Sequence, residues 1–194
     1  MNFKNQNNDR YVEYLEDIKI AQKEIKDIKL YPSEPIICDM YVIPSHNFQA
    51  YYAMIYKHNG RLEMVYAKPQ IYSFQCLNPI KMYTFLTTKE AEKKSGFDGR
   101  IVIGIKRLPD EFISLLNCII MNLPDDHVLG ENLIMIDGTF QAIRVFENGN
   151  VIKEIVYQAD DVIPFIGNKE ILTKKLDDLY LLVRNIIDDE LNPD

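Results

Sequence analysis

The sequence predicts an α+β fold, a mainly antiparallel sheet of hairpins packed against an N-terminal, a central and a C-terminal helix. Three observations predict it. Leu133 to Tyr157 reads strand, turn, strand, turn, strand: the apolar run Leu133 to Ile136 stops at Asp137-Gly138, and Asn148-Gly149 separates two runs rich in Ile, Val and Phe, the strongest short-range hairpin signal. A second Asn-Gly pair lies in Lys57-His58-Asn59-Gly60-Arg61, between the runs Gln49 to Tyr56 and Leu62 to Ala67. Three other segments repeat their apolar residues at helical spacing.

The first of these carries Tyr11, Tyr14, Ile18, Ala21, Ile25 and Ile28 at alternating intervals of three and four, the pattern of a helix with one apolar stripe. Asn8 or Asp9 is placed to cap its start, and Tyr31-Pro32 is expected to end it, because the residue before proline is pushed out of the α region. Ile36 to Ile43 is an apolar strand ended by Pro44, and Pro69 and Pro79 punctuate two further expected strands, Ile71 to Leu77 and Ile80 to Leu86. Thr87-Thr88-Lys89-Glu90 has the form of a capping box before a short helix closed by Gly96. Arg100 to Lys106 is one more strand, where Gly104 marks a bulge or a close approach by another segment.

Pro109, Asp110 and Glu111 then open a helix whose stripe is Phe112, Leu115, Leu116, Ile119 and Leu123; Ile113 and Ile120 widen it almost around the circumference, so that the helix is expected to be largely buried. The last helix is read from Asn168, a plausible N-cap, to Asp188, with Leu172, Leu176, Leu179, Val183 and Ile186 as its buried stripe. A faint internal echo runs beneath these elements. Phe48-Gln49-Ala50, Asn59-Gly60 and Val65-Tyr66-Ala67 recur as Phe140-Gln141-Ala142, Asn148-Gly149 and Val156-Tyr157, although hairpins share residue preferences without common origin.

A chain of 194 residues, 47% hydrophobic and 26% charged, suffices for one domain with a large core. Residues 9–190 are read as that domain and residues 1–8 as a disordered or frayed tail. Met1 to Asp9 has no apolar core of a signal peptide, and the most apolar window, Phe112 to Met121, is interrupted by Ser114 and Asn117, short of the ~20 residues a bilayer needs. Cys38, Cys76 and Cys118 are widely spaced among apolar neighbours and read as reduced core residues of a cytoplasmic protein.

Charge is unevenly spread. Residues 1–122 hold 16 Lys+Arg against 14 Asp+Glu, a net +2, whereas residues 123–194 hold 6 against 15, a net −9. Nucleic acids are bound through many Lys and Arg contacts to phosphate, so an acidic C-terminal third argues against that partner and for a basic one.

Motifs of catalysis and cofactor binding do not emerge. His46 and His58 are read as loop residues, no G-x-S-x-G elbow is present, and no cysteine stands beside a base. Zinc spacings are missing, and the cluster Asp125, Asp126, His127 and Glu131 lacks the spacing of a calcium loop. The eight glycines build no phosphate loop. Pro109-Asp110 and Pro124-Asp125 open a nuclease-like pattern, but no D/E-x-K triplet follows either of them. No metal, cofactor or catalytic residue is therefore assigned.

Asp137-Gly138-Thr139, the hairpin on Asn148-Gly149 and the closing amphipathic helix resemble the C-terminal part of small bacterial proteins grouped with immunity proteins of polymorphic toxin systems. The resemblance covers residues 133–190, and its fixed letters are D-G-T and N-G. It implies a non-enzymatic binding protein that neutralises a basic partner, a toxin being the example. Asp125, Asp126, Glu131, Asp160, Asp161, Asp188, Asp189 and Glu190 are the acids expected to meet that partner. The alternative is a small cytosolic enzyme with a pocket walled by Tyr41, Tyr51, Tyr52, Tyr56, Tyr66 and Tyr72. A third reading is an oligomeric scaffold joined through the Tyr11 to Ile28 helix.

Overall fold

The computed structural model of the chain describes residues 8–43, 50–70, 85, 86, 88, 89, 100–122, 140–158 and 169–188. In chain order these form helix α1 (Asn8–Asp27), strands β1 (Ile36–Ile43), β2 (Tyr51–His58), β3 (Arg61–Gln70) and β4 (Arg100–Arg107), helix α2 (Glu111–Asn122), strands β5 (Phe140–Glu147) and β6 (Asn150–Gln158), and helix α3 (Lys169–Asp188). The six strands make one antiparallel sheet in the order β4-β3-β2-β1-β5-β6. The α+β architecture and all three long helices agree with the sequence reading.

Successive side chains of a strand point to opposite faces, and here both faces are covered. On one side Tyr41, Tyr52, Met54, Val65 and Ala142 meet Tyr14, Ile18, Ala21 and Ile25 of α1. On the other, Met40, Ile55, Met64 and Ile143 meet Phe112 and Ile119 of α2 and Leu176 and Val183 of α3. Double burial explains why β1 and β2 read as continuous apolar runs rather than alternating ones. Each fully buried Ile or Leu of these layers contributes about 1.5–3 kcal/mol. Helix α2 is less enclosed than expected: Ser114, Asn117 and Met121 face solvent, because α3 and the sheet together cover only part of its circumference.

Helix α1 stops before the proline that was expected to stop it. Lys29 takes a left-handed conformation, φ 62°, its N–H donates to the Lys26 carbonyl at 2.9 Å, and the Leu30 N–H donates to the Ile25 carbonyl at 3.1 Å. These two bonds define a Schellman cap, built on lysine where glycine is the usual choice.

Both hairpins turn on two residues. Asn59 and Gly60 have φ 48° and 78°, and Asn148 and Gly149 have φ 52° and 79°, the type I′ geometry that fits strand twist. His58 is thus the last residue of β2, paired with Arg61, and does not belong to a turn. In the second hairpin, charge pairing in the sequence favours a three-residue turn, which sets Arg144 opposite Glu154 rather than Lys153. Arg144 does pair with Glu154, but Glu147 pairs with Asn150 and the extra residue sits in a β-bulge where the register shifts between Val145 and Phe146. The bulge, not the turn, absorbs the mismatch.

Gly104 marks a close approach rather than a bulge. The ladder between β3 and β4 is unbroken, Tyr66 pairs with Gly104, and a Cβ there would lie 2.6 Å from the Tyr66 hydroxyl oxygen. Residues 85 and 86, expected to end a strand, are helical, as are 88 and 89; Thr87 and Glu90 of the expected capping box lie outside the described residues. The expected strands at 71–77 and 133–136 lie outside the described residues. The two Asn-Gly hairpins flank β1 on opposite sides, and of the echoed residues Ala50 and Ala142, like Val65 and Val156, lie in the same layer against α1.

Candidate functional site

The densest chemistry of the described residues lies between α1 and the sheet. Asp39 stands in the middle of β1 and faces α1. Across the ladder to β5 its partner is Arg144, whose own partner on β6 is Glu154. Arg144 grips Asp39 with two bonds: Nε donates to Oδ1 at 2.9 Å and Nη2 donates to Oδ2. The Arg144 and Asp39 side chains are 14% and 2% exposed. Tyr52 donates its hydroxyl to Asp39 Oδ2 at 2.7 Å and accepts a bond from Gln22 Nε2 of α1 at 2.7 Å.

Asp17 of α1 is buried in the same layer. Its Oδ2 accepts the Tyr41 hydroxyl, and its Oδ1 accepts the Leu86 backbone N–H at 2.8 Å. Tyr14, one turn earlier, donates to Glu154 Oε1 at 3.1 Å. The rings of Tyr14, Tyr41 and Phe140 pack in tilted and edge-on contacts, with centroids 5.4 to 6.1 Å apart. Helix α1 is thus fixed to the sheet by an apolar stripe and by carboxylate bonds together.

Electrostatics follow from burial. The Tyr14 phenol is pushed up by desolvation first and by the Glu154 charge second; Tyr52 is raised by desolvation and then by Asp39. Both therefore remain protonated donors. Burial alone would lower the Arg144 guanidinium, but the bonds and charge of Asp39 outweigh it and the net shift is upward. Cys38, beneath Asp39 in sequence, has its thiol raised by burial and then by that carboxylate. Every carboxylate oxygen of Asp17 and Asp39 accepts a bond within the fold. What this arrangement does chemically is to neutralise a buried acid and bind α1; it offers no uncommitted base.

Sequence reading did not identify this network, although the signal is present. Asp39 interrupts the apolar run Ile36 to Ile43, and Asp17 falls on the apolar stripe between Tyr14 and Ile18. A carboxylate in such a position must find buried partners.

The tyrosines expected to wall a pocket are divided by strand parity. Tyr41, Tyr52 and Tyr56 face α1, whereas Tyr51 and Tyr66 face α2 and α3, where Tyr51 stacks on Tyr180 at 6.3 Å. The five line no common cavity, and Tyr72 lies outside the described residues. His58 holds Glu34 through Nδ1; His46 and His127 are outside the described residues. Among those described, no group of three His, Cys, Asp or Glu is placed to hold a metal, and no helix is long and apolar enough to cross a membrane. Cys38 and Cys118 are in no disulfide; Cys76 is not among the described residues.

Of the acids expected to meet a partner, Asp188 ends α3, while Asp125, Asp126, Glu131, Asp160, Asp161, Asp189 and Glu190 lie outside the described residues. The surrounding elements nevertheless reveal how the charge is partitioned. Residues 140–158 and 169–188 carry 6 Lys+Arg and 6 Asp+Glu, a net zero. Residues 123–139, 159–168 and 189–194 carry the other 9 acids and no Lys or Arg. The whole net −9 resides in residues 123–139, 159–168 and 189–194. Phe140 pairs with Gln158, so that the first two of these segments join the same end of the β5–β6 ladder, away from the Asn148-Gly149 turn. No family model, no curated protein and no solved structure matches the chain.

Proposed function

We propose that the chain is a non-enzymatic binding protein of the immunity type, acting in the cytoplasm, which neutralises a basic protein partner through the acidic segments of its C-terminal third. The observation that carries this reading is the segregation of charge: 9 acids and no Lys or Arg in residues 123–139, 159–168 and 189–194, against a net zero in β5, β6 and α3. Charge placed on framework helices is commonly solubilising, alternating in sign along the solvent face. Charge of one sign concentrated in a few stretches of sequence, two of which join one end of a ladder, instead produces a local field that draws in a cationic surface and suppresses binding of acidic ones.

In this mechanism Asp125, Asp126, Glu131, Asp160 and Asp161 steer the partner to the end of the β5–β6 ladder, and Asp188, Asp189 and Glu190 extend the same field beyond α3. The framework beneath is held by the Asp39–Arg144 network. Co-purification with the product of the adjacent gene, at low and then at high salt, tests the reading. A basic protein retained at low salt and released as salt rises is the expected result, since screening shortens the reach of exposed charges. Failure to recover any basic protein at low salt, or retention indifferent to salt, would refute it.

A further inference from the structure

Among the described residues the sheet has two edge strands, β6 and β4, and they are not equivalent. An edge strand exposes a row of backbone N–H and C=O groups that template pairing with another chain, and proteins blunt it with bulges or charges. β6 is blunted by its bulge and by Lys153 and Glu154 at its centre. β4 has no bulge: Arg100 to Arg107 runs through eight consecutive register pairs with β3 without a shift, and its charges, Arg100, Lys106 and Arg107, are all of one sign and stand at its two ends.

The direction of its backbone groups follows from one bond. Leu108 N–H donates to the Leu62 carbonyl at 2.9 Å, and these residues continue the register in which Arg107 pairs with Glu63. In an antiparallel ladder, hydrogen-bonded and non-hydrogen-bonded pairs alternate. Lys106, Gly104, Val102 and Arg100 therefore bond β3, and Ile101, Ile103, Ile105 and Arg107 direct their N–H and C=O groups outward. Among the described residues β4 pairs with β3 alone. Ile105, whose side chain is on the α1 face, is 46% exposed.

Charge selects the occupant. The β3–β4 ladder carries Arg61, Lys68, Arg100, Lys106 and Arg107 against Glu63, a net +4. Self-pairing through β4 would bring two such ladders together and is opposed. We propose that the outer edge of β4 docks an extended acidic segment of a partner protein by strand addition, main-chain bonds providing attachment and the basic ladder providing selection. β4 lies at the opposite end of the strand order from β6, and the two proposals stand or fall independently.

The probe is the blocked heptapeptide Glu-Thr-Val-Thr-Val-Thr-Glu, compared with its Lys-for-Glu counterpart, added to the full ¹⁵N-labelled chain. With the acidic peptide, the amides of Ile101, Ile103, Ile105 and Arg107 become protected from exchange, and it binds about tenfold more tightly than the lysine peptide, as two exposed charge pairs allow. R100E combined with R107E reverses that preference. I103P removes an outward N–H without touching the bonds to β3 and weakens binding; if it does not fold, the exchange map and the charge reversal still decide. Lack of protection at millimolar peptide, or equal affinity for both peptides, overturns the proposal. So does protection that grows with protein concentration in the absence of peptide, which would assign the edge to a second copy.

Discussion

Replacing Arg144 by Met keeps most of the side-chain volume and removes the only cation bonded to Asp39 in the described network. Asp39 is 2% exposed, and Tyr52 alone would remain as its donor. Removing one partner of a buried ion pair costs about 3–5 kcal/mol, because the other charge is stranded. For a chain of this size that corresponds to a fall in melting temperature of roughly 6–20 °C. Urea denaturation at neutral pH measures the loss. A cycle with Asp39→Asn isolates the coupling, expected on the order of 3 kcal/mol. A loss under about 1 kcal/mol would refute the reasoning, because it would place the pair within reach of solvent, where such pairs contribute little.

Lys29→Gly relieves the left-handed lysine at the end of α1 and is expected to stabilise the protein by about 0.5–1 kcal/mol; thermal denaturation reads it, and a lowered midpoint would mean that the lysine side chain matters more than its backbone. Gly104→Ala places a methyl against the Tyr66 ring, whose nearest atoms lie 2.6–2.7 Å away, and is expected to cost about 1–3 kcal/mol through overpacking, with Tyr66→Leu in the same chain recovering part of it. The Glu34–His58 pair shapes the pH profile. Its hydrogen bond to Glu34 raises His58 above the ordinary 6.5, and its bond to His58 lowers Glu34 below the ordinary 4.5. The stabilisation from His58 is complete below 6.5 and disappears as pH rises through the raised value. That from Glu34 is complete above 4.5 and disappears as pH falls through the lowered value. H58Q should flatten the alkaline limb of the stability profile, and an unchanged limb would exclude the pair as its source.

Much of the fold was legible because its punctuation is local. Asn59-Gly60 and Asn148-Gly149 can adopt the mirror-image turn with little strain, and both hairpins are found where those pairs stand. Helical spacing placed α1, α2 and α3 to within a few residues. What escaped was decided by partners distant in sequence. The residue that sets Arg144 against Glu154 went into a bulge, since both turn residues tolerate positive φ and the two-residue turn could close first. α1 ended on Lys29 because Leu30 packs back on the apolar layer that contains Ile25, a contact unseen in the proline rule. The network around Asp39 joins residues 105 positions apart; an acid within an apolar run announces a need for a cation without naming Arg144. The acidic candidates were legible as a composition, and their segregation from β5, β6 and α3 became legible only once those elements had bounds.

The central proposal is that the partner is held by the acids of residues 123–139, 159–168 and 188–194 and not by the remaining acids of β5, β6 and α3. Two variants of equal charge change separate these: D125N/D126N/D160N/D161N in the segments, and E147Q/E170Q/D177N/D178N in β5 and α3. Isothermal titration of each with the basic partner at low salt should show affinity lost in the first and kept in the second, with a shallower salt dependence in the first. Equal losses, or a loss confined to the second, would contradict the account.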